Sequence, residues 1–223
     1  MNLLYLVGEE HIDPDGYMQL QRLLTAMPSA AIGIEDTEAG FRKTSIFAQN
    51  PDAVRLGTNN WKRSFPRANA KTVTLFVQNL IYRNLLLGSV LQKGNLFFCD
   101  DPAVIDSPVV DHAFANTIKQ SLELEDLVRL SPKQLRTTIA KAYASESYRV
   151  SDNPALAQFY SARDQFAEQV LRHHVSPPAS GQVVYFGGLD HFYGDYHPNL
   201  FDRLADLNPT RMKLSDVGSL SIS

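Results

Sequence analysis

LLYLVGEEH, residues 3–11, is the stretch that decides the fold. Leu3 to Val7 are apolar without a break; Gly8 ends the run, and Glu9, Glu10 and His11 follow at once. A run this short and uniformly apolar reads as a strand buried on both faces, the kind found in parallel sheets covered by helices. Three further runs repeat the pattern: Ala30–Ile34, Asn95–Cys99 and Gln182–Phe186. Between them lie helical spacings. Met18, Leu20, Leu23, Leu24 and Met27 share one helix face, and Val73–Leu91 is apolar nearly all round, as expected of a helix buried between layers. Strands alternating with helices predict an α/β fold, a mainly parallel central sheet of about four to five strands with helices on both faces. Arg211–Leu214 is the candidate fifth, edge strand.

Helix starts are marked by their chemistry. Ser107–Pro108 and Ser131–Pro132 each place a capping hydroxyl before a proline at the first helical position, and Asn153–Pro154 does so with an amide. Gln134 stands where a capping box needs it. A short helix is expected near Asn199–Leu207. In the helix beginning at Pro154, Phe159, Ala162, Phe166 and Val170 form the expected buried stripe, with Arg163 and Asp164 beside it.

The 223 residues suit a single α/β domain, 1–223. Within it, residues 37–71 show no clear periodicity and read as a long basic loop or insertion, a candidate lid. From Arg42 to Lys71 the charges are Arg42, Lys43, Arg55, Lys62, Arg63, Arg67 and Lys71 against Asp52 alone, with Trp61 and Phe65 interleaved. A net charge of −3 argues against nucleic acid as the partner of the whole chain. The single cysteine, Cys99, rules out an internal disulfide and fits a reducing compartment. Gln78, Asn79, Arg83 and Asn84 interrupt the longest apolar stretch, so no membrane span is expected, and the expected location is the cytoplasm.

Chemistry collects where the strands end. The first closes on Glu9–Glu10–His11, the second on Glu35–Asp36, the third on Asp100–Asp101 and the fourth on Asp190–His191. In open α/β sheets ligands bind beyond the carboxyl ends of the strands. A single acid there is commonly a helix-capping group. Several together repel one another unless a cation, protons or an arginine answers them. Gly8–His11 and Gly188–His191 are two copies of Gly-x-x-His, at the first and last core strands. Lesser candidates are Cys99, His112, the His173–His174 pair, Tyr193, Asp195 and His197.

LLYLVGEEH, the IGIED of residues 32–36, the FYSARDQFAEQVL of 159–171 and the VVYFGGLDH of 183–191 occur in the order seen in TraB/Tiki proteins, and the chain resembles that family. Erythromycin esterases and ChaN-type heme-binding lipoproteins are its more distant relatives. The resemblance implies that Glu9, His11, Glu35, Arg163 and His191 are the catalytic set; the imidazoles and acids at the strand ends make His11, Glu35, Asp190 and His191 candidate metal ligands, Asp190 being a departure from the family. The resemblance also implies a hydrolase acting on a small molecule or peptide, by metal-assisted or histidine-base activation of water. The alternative is a non-catalytic protein that binds a ligand, heme or metal at the same edge. Imidazole with carboxylate suits manganese, zinc or iron as the divalent ion. The chain departs from the family at Ala162, where relatives often carry an acid before the arginine, and in residues 42–71, which have no counterpart.

Overall fold

In the computed structural model, which describes residues 3–105, 123–152, 154–176 and 181–219, five strands form one sheet. The strands are β1 (Leu3–Glu9), β2 (Ala31–Ile34), β3 (Leu96–Phe98), β4 (Gln182–Gly188) and β5 (Thr210–Lys213). Their order is β3-β2-β4-β1-β5 and every pairing is parallel. The fold is α/β, as the short apolar runs predict. β4 occupies the centre, although its residues come fourth in the chain.

The helices are α1 (Gly16–Ala26), α2 (Glu38–Ala48), α3 (Ala53–Ser64), α4 (Ala70–Gln92), α5 (Pro102–Ile105), α6 (Glu123–Arg129), α7 (Pro132–Ala144), α8 (Pro154–Val175), α9 (Asp190–Tyr193) and α10 (Leu200–Arg203). Their caps follow the expected chemistry. Ser131 and Gln134 complete a capping box at α7, Asn199 and Asp202 another at α10, and Asn69 accepts from the backbone of Lys71 at 3.0 Å at α4. The expected helix at Ser107–Pro108, the capping residue Asn153 and His112 lie outside the described residues.

Side-chain alternation along the strands divides the core in two. Val7, Ile32, Ile34, Val184 and Phe186 face one layer with Leu20 and Leu23 of α1, Phe41 of α2 and Leu135 of α7. Leu4, Leu6, Val183 and Tyr185 face the other, with Ala167 and Leu171 of α8 and Leu200 of α10. The chain therefore leaves β1 and β2 toward one face and leaves β4, which lies between them, toward the opposite face. A crevice forms at the strand ends where connections part in this way.

Three expectations change. Residues 37–71 are not a loop: 38–48 and 53–64 are helical, and Trp61 stacks on Phe65 and packs edge-on to Phe76. Thr37 caps the first of them by accepting from the Gly40 backbone at 3.0 Å, and two of the segment's basic residues pair locally, Arg42 with Glu38 and Arg55 with Asp52. In α8 the buried residues are Arg163, Asp164, Ala167 and Leu171, whereas Ala162 is exposed and Phe159, Phe166 and Val170 are half-buried. The inward face is turned by about one residue, about 100° of helix, from the apolar stripe. α4 is not enclosed between layers, since Tyr82 and Leu85 are exposed. Among the described residues no helix is long and apolar enough to cross a membrane.

Candidate active site

Parallel pairing sets β1 beside β4 with Gly8 opposite Gly187 and Glu9 opposite Gly188, so the two Gly-x-x-His segments run side by side, one residue out of step. Neither Gly8 nor Gly188 has a positive φ; the glycines serve close approach rather than a sharp turn. A Cβ on Gly188 would stand 2.9 Å from His11 Nε2 and 3.2 Å from Glu35 Oε2. Space at that position is reserved for the side chains meeting above it.

Glu35, at the end of β2, is their meeting point. Its Oε1 accepts from Arg163 at 2.7 Å and lies 3.2 Å from His191 Nε2. Its Oε2 accepts the Gly188 backbone N–H and lies 3.6 Å from His11 Nε2, beyond hydrogen-bond range. Each imidazole is held at its other nitrogen by a carboxylate: His11 Nδ1 by Glu9 at 3.0 Å, His191 Nδ1 by Asp164. Asp164 also accepts from the Tyr196 hydroxyl at 2.6 Å. Arg163 forks onto Asp100 at 2.9 and 2.6 Å, and Arg83 pairs with Glu9. All five expected site residues, Glu9, His11, Glu35, Arg163 and His191, thus stand in one connected network.

Charge arithmetic explains the protonation. The network holds the buried carboxylates Glu9, Glu35, Asp100 and Asp164 against the two guanidiniums of Arg83 and Arg163. Two positive charges are wanting, and the two imidazoles supply them. For His191, burial pulls the pKa down, but Glu35 and Asp164 outweigh it and hold it above its ordinary value. For His11, crowding pulls down and Glu35 with Glu9 pushes up further, although its ring is 54 % exposed and solvent weakens each of those pairs. Burial alone would raise Glu35; Arg163, His191 and His11 instead hold it well below the carboxylate range. Asp36, next in the chain, has no such cations in contact, and burial pushes it up to about 6.

Asp190 accepts from Tyr160 at 2.9 Å, and the groups touching Glu35 are His11, Arg163, Gly188 and His191. Tyr160 in turn lies edge-on to the His191 ring. Asp195 ties down the Val150–Ser151 backbone, and His197 pairs with Asp202 on the surface. Cys99 is buried, which pushes its thiol well above the usual value. His174 stacks on Phe97, on the α8 face of the sheet. Arg83 and Tyr196 belong to the network without having been singled out from sequence, and Asp100 and Asp164 join it from the strand end and the helix position noted there.

Scanned against protein-family models, curated proteins and solved structures, the chain finds no match.

The donor set can be weighed for a metal ion. Among the described residues no group of three or more His, Cys, Asp and Glu side chains is arranged to hold one. The donor types, two imidazoles and a carboxylate, are those a transition metal takes once the imidazoles give up their protons. His191 Nε2 is buried and, because it lies off the hydrogen-bonding direction to Glu35, has no hydrogen-bond partner. Both imidazoles present Nε2 toward the same carboxylate and are braced at Nδ1 by another, the second-layer support that metal-binding histidines receive. Arg163 on Glu35 Oε1 works against a second cation there. Beside the network lies a cavity of about 650 Å³, with His11, Glu35, Arg83 and Arg163 at its polar end.

Proposed function

We propose that this chain is a hydrolase whose reaction centre is the histidine pair bridged by Glu35. One observation carries the reading: imidazoles from segments 180 residues apart, by subtraction of 11 from 191, face the two oxygens of one carboxylate beside a cavity. The motif resemblance to TraB/Tiki proteins supports the same reading.

The two imidazoles take different parts. His11 is half open to the cavity, and its Nδ1 is fixed on Glu9, which Arg83 holds in turn. Its Nε2 stands 3.6 Å from Glu35, free to exchange a proton with water or substrate. His191 is locked between Asp164 and Glu35 and maintains the charge that keeps Glu35 ionised. Arg163 does the same from α8 through Nε and Nη2.

In hydrolysis, the oxygen of water bonds to the carbonyl carbon and the carbon–oxygen or carbon–nitrogen bond to the leaving group breaks. One proton of that water passes to His11 Nε2 and from there to the departing oxygen or nitrogen. His11 accepts a proton only in its neutral form, and its raised pKa makes that form scarce at neutral pH. Without metal, kcat/KM therefore climbs with pH through a limb above the ordinary imidazole value of about 6.5. Where a divalent ion is bound, His11, His191 and Glu35 would hold it, and it would supply a water of lowered pKa.

The test pairs activity with metal analysis, on protein purified without chelator, against ester, amide and phosphoester panels. His11→Ala is expected to cost about 10²–10⁴ in kcat/KM with the fold retained. A bound transition metal that disappears in the variant assigns the metal-assisted route. Stoichiometric ligand uptake with no turnover in the wild type overturns the hydrolase reading in favour of a binding protein.

A further inference from the structure

Resting on the hydrolase reading, we propose that the substrate is an uncharged ester or amide whose acyl side is a compact apolar group, seated in the cavity bounded by α2, α4 and α8. At about 650 Å³ the cavity is of the size that receives a whole small organic molecule. Its lining is more apolar than polar. Phe41 from α2, Phe76, Leu80 and Leu87 from α4 and Phe159 from α8 make a broad apolar surface. The charged groups come from the strand ends, His11, Glu35 and Asp36, and from two helices, Arg83 of α4 and Arg163 of α8.

Charge decides what kind of head group fits. Arg83 is answered by Glu9, and Arg163 by Glu35 and Asp100, so neither guanidinium is left over for a carboxylate or phosphate. Asp36, also in the wall, would repel one further. A cationic ligand would have Asp36 alone to answer it, since Glu35 is already paired with Arg163 and the two imidazoles. Burying any charge there without a partner is costly, whereas a carbonyl needs only hydrogen bonds. An apolar acyl chain gains from the opposite wall. Each buried methylene strengthens binding about fourfold. A peptide presenting charged side chains to this wall is disfavoured on the same grounds.

The basic segment 37–71 takes part through the apolar and hydroxyl side chains of Phe41 and Thr44. Phe41 and Thr44 lie on α2, and the Thr44 hydroxyl donates to Asn84 Oδ1 at 2.9 Å, joining α2 to α4 at the cavity wall.

The experiment uses the full chain with two probes of equal length, 1-octanol and octanoate, in calorimetric titrations, and a p-nitrophenyl ester series from acetyl to octanoyl. Octanol is expected to bind at least tenfold more tightly than octanoate. The kcat/KM is expected to climb about fourfold per methylene until the cavity is full. Leu80→Trp, which fills the cavity, should weaken octanol at least tenfold. Leu80→Ala, which cannot clash, should move the preferred ester to a longer chain. Octanoate binding as tightly as octanol overturns the proposal, as does turnover indifferent to chain length, which would leave hydrolysis standing. Graded octanol binding without turnover of any ester or amide removes the hydrolysis reading and retains the cavity as a site for uncharged apolar ligands.

Discussion

Gly8–His11 and Gly188–His191 share one sequence pattern and lie on adjacent strands, yet their histidines live in different surroundings. The His11 side chain is 54 % exposed and the His191 side chain 2 %. Glu9 holds the first and answers outward to Arg83; Asp164, fully buried, holds the second and is backed by Tyr196. A motif fixes what can reach Glu35, while the neighbouring elements decide whether the ring is a working group or a support. β1 runs out into a turn open to the cavity, whereas β4 runs into α9 beneath α8.

The largest test of that contrast is stability. His191→Ala leaves Asp164 ionised in the interior with only a hydroxyl to answer it. It is expected to cost about 3–5 kcal/mol in urea unfolding, the range for breaking a buried pair. His11→Ala, at a half-exposed ring, is expected to cost less than about 1 kcal/mol while removing activity. Equal losses in the two variants would abolish the distinction.

A second test uses pH. An imidazole whose pKa is higher in the folded than in the unfolded chain contributes fully below its unfolded value, near 6.5, and the contribution is lost as pH rises through the folded value. Both histidines are raised, so the protein should lose stability from pH 7 upward. The loss assigned to His191 should reach at least about 1.4 kcal/mol, the equivalent of one pKa unit. His191→Gln should flatten most of that slope and His11→Gln a smaller part, because solvent screens the half-exposed His11 ring. The reverse pattern would exchange the two roles.

The smallest effect sharpens the same picture. Tyr196→Phe removes the hydroxyl that satisfies Asp164 Oδ2 and is expected to cost about 1–2 kcal/mol. A cost near zero, measured by thermal unfolding, would mean that Asp164 needs no fixing.

The strands were legible because burial on both faces leaves uninterrupted apolar runs, and the Gly-x-x-His pair was legible because the strands end there. The α8 face was misread for a physical reason. Apolar spacing points to the stripe of Phe159 and Phe166, but the sheet edge opposite is charged, so the inward positions are Arg163 and Asp164. Arg83 was visible only as a break in an apolar helix, although a cation in such a place is itself a signal that an anion waits inside. Asp100 closes β3 and Tyr196 follows Gly194; nothing local separates either from an ordinary cap or turn residue, and only the fold brings them to Arg163 and Asp164. Residues 53–64 concealed a helix because Gly57, Thr58, Asn59 and Asn60 interrupt its apolar spacing.

The position of β4 bears on how the molecule is made. β1 and β2 do not pair with each other; the strand that joins them is translated only after residue 181. While the ribosome is still adding α8, these two early strands have no central partner, and the contacts that close the sheet span most of the polypeptide. Such non-local closure is slow and leaves strand edges open to wrong partners in the meantime. The bridging of β1 to β2 by β4 and the delivery of His191 to Glu35 are then one event, so a nascent chain assembles this network only once its two early strands are joined.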